Sequence, residues 1–445
     1  MKRQVVANQK FLNIAAFVIV ALFLFVIAYL LGISLAFPTL LLIVFIFLKA
    51  YYQSKIMHLA IRLGLLLAII VATSYSLINY PNFYYLVPVC AISMLVVILF
   101  GDLKLAFVMA LLCAVAVGEI LNNNFSISII FLIGGLVSSL CAWQSRHRAQ
   151  IIKAGLISGI IQAFSFILFL PTNQWLLPGF LKLNTLFLLI NGIVSSFFVV
   201  GCLPLFEYLF GVLTNISLLE LSDFNHPLLK RMILEAPGTY QHSLMVGNLS
   251  EVACEAIGAN SLLARVGAYY HDIGKLEKAE YFSENQALNS SKHDKILPTI
   301  SKLIIVGHVK DGVALAKKYK LNPLIIDCIL QHHGTSLTYY FYCRALEDMK
   351  CEEEIKEEGF RYPGPKPQTK EIAITHLADS IEAASRTLDE PTPARIEEIV
   401  RKIINNKFID GQLDECELTL KDLERIAATF IRVISAMYHS RIKYP

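Results

Sequence analysis

Acid is almost absent from the first half of this chain. Residues 1–213 hold three carboxylates, Asp102, Glu119 and Glu207, against 11 Lys and Arg, a balance of +8. The other 232 residues hold 28 basic and 32 acidic groups, a balance of −4, so the overall +4 averages two dissimilar parts. So few charges exclude an ordinary solvated surface over residues 1–213. No two of the 9 cysteines are spaced C-x-x-C, which excludes a zinc ribbon or a redox pair. Unpaired cysteines fit a reducing compartment. A basic tail and an Arg-rich stripe are also missing, which excludes a nucleic-acid duplex as partner. There is no internal repeat or low-complexity segment. Few β-branched alternating runs appear in the second half, which argues against a β architecture there.

What is present is hydrophobic residue, 56% of the chain at a mean hydropathy of +0.57. Apolar runs of spanning length fall at roughly 11–31, 33–51, 61–79, 83–100, 104–121, 125–143, 152–171 and 183–203. Eight membrane helices are expected, the second interrupted by Pro38. The first follows Lys2, Arg3 and Lys10 as a signal peptide would, but it exceeds a usual apolar core and more spans follow, so an uncleaved anchor is expected. Basic residues cluster at the N-terminus, at Lys49, Lys55 and Arg62, at Lys104, and at Arg146, Arg148 and Lys153. The connections around Ser34, Asn79–Asn82 and Asn122–Asn124 carry none, and Lys182 alone lies in the seventh. This pattern puts both termini in the cytoplasm. The expectation is a multi-pass protein of the cell (inner) membrane. Glu119 is the only acid well inside a run; an intramembrane carboxylate invites a functional reading, though near the outer end it need only reach the headgroups.

Pro204 should close the last span, and Leu205–Leu221 reads as an amphipathic juxtamembrane helix broken by Asp223, Asn225 and Pro227. Beyond it the apolar period is 3.6, as at Met245, Leu249, Val252, Ala253 and Ala256. Helices are expected near 240–257, 260–273, 296–308, 312–320, 322–333, 369–388, 394–406 and 418–440. The fold class is therefore all-α: a polytopic transmembrane bundle over 1–203, a connector over 204–231, and an all-helical cytoplasmic domain over 232–445. The stretch 334–370 breaks the pattern. Its run Arg361-Tyr362-Pro363-Gly364-Pro365-Lys366-Pro367 reads as a stiff loop.

Histidine and aspartate then recur in a way that core packing does not explain. His242 follows Tyr240-Gln241; His271-Asp272 precede Ile273-Gly274-Lys275; His308 ends an apolar run; His332-His333 end another; Asp379 lies in Thr375-His376-Leu377-Ala378-Asp379. Each alone has a bland reading as a cap or surface group. Together, five imidazoles and two carboxylates suit divalent transition metals. Seven donors exceed one ion but serve two that share a bridging carboxylate. His242, His271, Asp272 and Asp379 are assigned to one ion, and Asp272, His308, His332 and His333 to the other. Two ions ~3.5–4 Å apart activate a water and clamp an in-line phosphoryl displacement. Asp272 and Lys275 are the expected catalytic residues, with Lys275 neutralising phosphate charge and Lys310 a weaker candidate for that role. His376 is read as structural, with a place behind Asp379 as the other choice, and His293 as a residue of the site entrance. His58, His147, His226 and His439 are given no special role.

These residues resemble the HD-domain phosphohydrolases, whose name matches His271-Asp272. Longer runs resemble the seven-transmembrane HD-domain family in particular: Leu218–Asp223, Ala236–Tyr240, His271–Lys275, Arg361–Pro367 and Asp410–Cys416. The resemblance covers nearly the whole chain. It implies a cyclic-di-AMP phosphodiesterase that cuts the dinucleotide to linear pApA. It also implies metal ligands at His242, His271, Asp272, His308, His332, His333 and Asp379, with iron or manganese as the two ions. Members of that family usually carry a large extracytoplasmic domain after the first helix, whereas here a few residues around Ser34 stand in its place. The implied partners are a cyclic dinucleotide and membrane lipid; a homo-oligomer is left open. Arg361 and Tyr362 are expected to hold the dinucleotide over the metals.

A cyclic-di-GMP hydrolase of the HD-GYP type is disfavoured because Gly334-Thr335-Ser336-Leu337 contains no Gly-Tyr-Pro. A nucleotide triphosphohydrolase has no need of His308 and His332-His333. A receptor or transporter with a degenerate HD output domain should lack a ligand, and none is lacking.

Overall fold

The computed structural model describes Val44 and residues 56–80, 82–170, 180–286, 292–347 and 355–438. Apart from Val44, the expected spans 11–31 and 33–51 lie outside the described residues, as does His439. Among the described residues the regular structure is helical, with one isolated antiparallel bridge between Leu337 and Arg361. The chain divides into two compact units, Met1–Ile216 and Ser217–Pro445.

In the first unit the six remaining apolar runs form α1 (Ile56–Leu77), α2 (Val89–Phe100), α3 (Leu103–Ile120), α4 (Phe125–Ala142), α5 (Arg148–Phe169) and α6 (Phe180–Phe210). Among its described residues, six segments are long and apolar enough to cross a membrane. Large apolar side chains such as Ile61, Phe164, Phe197 and Leu186 face outward, as lipid-facing residues do. Small ones face inward. At Gly155 and Gly192 the α5 and α6 backbones approach so closely that a Cβ on either would collide with the other's carbonyl. Close approach through small residues is how apolar helices gain contact when no water is expelled.

Two sequence expectations change here. The run 83–100 is not one α-helix: Pro88 stops regular hydrogen bonding, Phe83–Leu86 is a 3-10 turn, and α2 starts at Val89. The buried Asn191 amide holds that turn by donating to Tyr85 O at 2.6 Å and Val87 O at 2.9 Å. Pro204 does not close the last span either. It sits inside α6, which runs on to Phe210, because an apolar helix can lose one backbone bond without gaining a better partner elsewhere. The chain turns at Gly211 (φ 58°), where the buried Glu207 accepts from the backbone and hydroxyl of Thr214. Glu119 lies in the last turn of α3.

The second unit opens with α7 (Asn215–Leu221, its first two residues in the first unit) and α8 (Pro227–Glu235). It continues through α9 (Pro237–Ile257), α10 (Ser261–Tyr270), α11 (Pro298–Lys318), α12 (Pro323–Gln331), α13 (Tyr339–Glu347), α14 (Lys370–Ser385), α15 (Pro393–Ile409) and α16 (Leu420–Met437). Starts are set by local chemistry. Pro occupies the first turn of α8, α9, α11, α12 and α15, where its missing N–H costs nothing. Asn260, Thr369 and Thr419 cap α10, α14 and α16. The core joins Val246, Leu249 and Ala253 of α9 to Ala264 and Ala268 of α10, Ile374, Leu377 and Ile381 of α14, and Ile426 and Phe430 of α16. It makes α9 and α14 the central pair that carries two of the site residues.

Candidate metal centre

Helical geometry ends at Tyr270, whose hydroxyl donates to Leu221 O at 2.7 Å, and a 3-10 stretch, Ile273–Tyr281, follows. His271 and Asp272 stand at that break, both buried. Gly274 is where the turn meets α11: a Cβ there would strike the His308 carbonyl and the Gly312 amide. Only glycine brings the His-Asp turn that close. α11 is one helix with Gly312 inside, rather than two ending and starting around His308. His242 projects from α9, His308 from α11, His332-His333 from the end of α12, and Asp379 from α14.

The seven side chains converge. The two oxygens of Asp272 face different histidines. Oδ1 lies 3.3 Å from His308 Nε2 and 3.6 Å from His332 Nε2; Oδ2 lies 3.3 Å from His271 Nε2 and 3.7 Å from His242 Nε2. His308 and His332 bring their Nε2 atoms within 3.2 Å of each other. Asp379 presents Oδ1 to His242 Nε2 at 3.0 Å and to His271 Nε2 at 3.9 Å, and Oδ2 to His333 Nδ1 at 3.5 Å. Donors on one ion with bonds of about 2.1 Å are separated by about 3.0–3.4 Å, so these spacings fit metal coordination. Two donor groups result: Asp272, His308, His332 and His333, and His242, His271 and Asp272, with Asp379 beside the second.

Four of the five rings are aimed by what their Nδ1 does. His271, His308 and His332 direct Nδ1 at carbonyls three residues back, Ala268 O at 2.6 Å, Ile305 O at 2.5 Å and Ile329 O at 2.8 Å. A carbonyl only accepts, so Nδ1 carries the proton and Nε2 offers a lone pair to the centre. His242 instead meets the Glu382 carboxylate. The Nε2 of His271 and both oxygens of Asp272 are buried without an aligned hydrogen-bond partner. Lys275 Nζ, 2.7 Å from Asp272 Oδ2, pairs by charge rather than by hydrogen-bond alignment. Buried lone pairs left unsatisfied in this way are what a cation satisfies.

The charge states suit that role. Burial works against the Asp272 carboxylate, but His271 and Lys275 outweigh it and hold it well below its usual range. Burial also opposes charge on Asp379, and His242 and His333 reverse the effect. Burial keeps His332 neutral, lowered to about 4, and His333 is likewise pushed well down. Ligation needs ionised carboxylates and neutral imidazoles. His242 differs: burial disfavours its charge, yet Asp379 and Glu382 raise it to about 10.

The surroundings revise several expectations. Lys275 is not free to meet a phosphate. Besides Asp272 it binds Glu284 Oε1 at 2.7 Å, and Glu284 accepts from Thr239 in the first turn of α9. Its ammonium therefore orients Asp272. Lys310 is exposed and lies two residues, about 200°, round α11 from His308, which turns it away from the cluster. Arg361 is spent on structure: it donates to Asp410, Glu357 and Thr335 O, at 2.8 Å, 2.6 Å and 2.8 Å for the shortest bond to each. Tyr362 does reach the cluster, its ring 4.2 Å from that of His333 at 30°. His293 bonds Tyr281 O and packs on Phe341, a packing role rather than an entrance. His376 donates to His332 O at 2.5 Å, so it holds the backbone of a cluster residue. Sequence reasoning missed Glu382, Glu284 and Gln412, the last of which clasps Thr335 beyond His333. A signal existed for Glu382, which lies three residues after Asp379 on the same helical face.

Residues 9–214 match the family model described as 7TM receptor with intracellular HD hydrolase, and residues 239–384 match the HD domain. The chain is thus a membrane protein whose second unit contains a divalent-metal HD domain. It is 43% identical over 406 residues to a cyclic-di-AMP phosphodiesterase, PgpH, of Bacillus subtilis (strain 168), with 89% of this chain and 56% of the relative covered. To the PgpH of Listeria monocytogenes serotype 1/2a it is 42% identical over 373 residues, covering 82% and 51%. The chain spans about half the length of these curated relatives. The crystal structure of the L. monocytogenes PgpH HD domain in complex with cyclic-di-AMP is 49% identical, with a TM-score of 0.47; it covers 48% of this chain and 100% of that one.

Proposed function

We propose that this chain, which belongs to the family of 7TM receptors with intracellular HD hydrolase, is a cell-membrane phosphodiesterase that opens cyclic-di-AMP to linear pApA in the cytoplasm. The observation that carries the reading is Asp272: one buried carboxylate turns its two oxygens to two separate sets of histidines. That arrangement supports two ions, iron or manganese, sharing Asp272. His242, His271 and Asp379 complete one position, and His308, His332 and His333 the other. When bound, the pair supplies an activated water and neutralises charge on the phosphate under attack. Water adds to phosphorus, the bond to the 3′ oxygen breaks, and that oxygen takes a proton.

The residues of the chain do the rest. Lys275, fixed between Asp272 and Glu284, holds the shared carboxylate ionised and correctly turned. Tyr362, its buried ring packed against the partly exposed His333, would wall the cluster on that side. Arg361, tied to Asp410, keeps Tyr362 in that place. The basic connections of the first unit, at Lys104 and at Arg146, Arg148 and Lys153, support a cytoplasmic second unit.

The test is hydrolysis by the detergent-solubilised full chain loaded with Mn²⁺. Cyclic-di-AMP should yield pApA at least about tenfold faster than cyclic-di-GMP is cut, since a site built to pair one base edge rejects the other. Faster turnover of cyclic-di-GMP, or none of either, overturns the assignment.

A further inference from the structure

Four histidines of the cluster have an anchored Nδ1, and one of them differs in kind. His271, His308 and His332 each use a carbonyl of their own turn. His242 uses a carboxylate from another helix: Glu382 Oε2 stands 2.5 Å from its Nδ1. Glu382 is buried and, among the described residues, pairs with no other histidine. Its second oxygen accepts from Arg386, 2.6 Å from Nε and 2.5 Å from Nη2. Asp379 and Glu382 of α14 and Arg386, which caps its end, fall at i, i+3 and i+7, so one helical face supplies a cluster carboxylate, its neighbour behind His242, and the cation that steadies that neighbour.

We propose that Glu382 is a positioning residue for metal binding, which makes His242 a stronger donor and raises the affinity of the position His242 serves. The inference rests on the reading of the cluster as metal ligands. A carbonyl orients an imidazole; a carboxylate also draws on its Nδ1 proton and pushes electron density to Nε2. The His242 Nε2 faces Asp379 Oδ1 and Asp272 Oδ2, the carboxylates of that position. Arg386, part-exposed at the end of the helix, offsets the buried charge without touching His242. The two metal positions therefore differ in donor strength, although each draws on Asp272.

The test is Mn²⁺ binding to the metal-stripped full chain in detergent, followed by equilibrium dialysis and elemental analysis. Glu382→Gln keeps an acceptor at Nδ1 but removes the charge. It should leave two ions at saturation, with one bound about 10–100-fold more weakly and the other unchanged. Its metal-free melting temperature should match that of the parent chain. Arg386→Met loosens the packing of Glu382 but leaves its carboxylate on Nδ1, so any weakening should fall on the same single ion and be smaller than in Glu382→Gln. His242→Ala should lose one ion outright. Unchanged affinities in Glu382→Gln, beside a lost ion in His242→Ala, overturn the proposal. So does equal weakening of both ions together with a lowered melting temperature in both Glu382→Gln and Arg386→Met, since that marks packing alone. Two ions retained by His242→Ala would instead overturn the ligand reading beneath it. Should Glu382→Gln fail to fold, Glu382→Asp, which withdraws the carboxylate from Nδ1, must weaken the same single position.

Discussion

At the residue scale, the shared carboxylate makes the sharpest claim. Asp272 faces both donor sets, whereas His308 faces only Oδ1 and its neighbours. Elemental analysis of Asp272→Ala should find both ions depleted and turnover abolished, while His308→Ala should retain one ion. Retention of both ions by Asp272→Ala would discard the bridge. A second claim concerns pH. Burial, aided by the nearby Lys407 charge, lowers His376 to about 3, against a partial opposing effect from its bond to His332 O. The unfolded residue has a pKa near 6.5, so the folded value is depressed. The stability it contributes is complete above about pH 6.5 and falls as pH drops toward 3, by up to about 1.4 kcal/mol per unit. His376→Asn keeps a donor for His332 O and cannot titrate. Urea denaturation of the HD unit at pH 7, 6 and 5 should show a shallower loss in the variant; parallel slopes would refute the assignment. The seven cluster residues were legible because imidazole and carboxylate are rare beside apolar helix ends. The partners of Arg361 were not, because Asp410 and Thr335 are distant in sequence and a positive charge in a stiff loop reads equally as phosphate contact or as scaffold.

At the element scale, period and length sufficed for most helices. The errors came from Pro and Gly, whose local meaning depends on what lies opposite. Pro204 reads as a stop in the sequence and sits inside α6. Gly312 lies inside α11, where Gly274 packs on it. Helix α13 was missed altogether: Tyr339–Glu347 has only nine residues and follows the break at Gly334. Gly155 and Gly192 illustrate the same point in the first unit, where backbone meets backbone. Gly155→Leu should force α5 from α6 and destabilise that unit by about 1–3 kcal/mol. Thermal melting in detergent should report the loss while Mn²⁺ content stays at its parental level. An unshifted melt would mean the helices are not in that contact.

At the scale of the whole molecule, the chain keeps two separate apolar cores, and the cluster belongs to the second. That core, the helix caps and the close packing of Gly274 on α11 fix the backbone around the cluster using protein atoms alone. Three of its rings are held by carbonyls of their own turns, and a fourth by Glu382. Such a centre does not have to fold around its ions in the way a zinc finger does. On the proposed reading of the cluster as metal ligands, the ions would leave and return while the polypeptide stays intact. On the function proposed above, loading would then behave as a reversible equilibrium with the divalent-metal pool of the cell, and metal scarcity would silence existing molecules within their lifetime, with no need to destroy them or to make new ones.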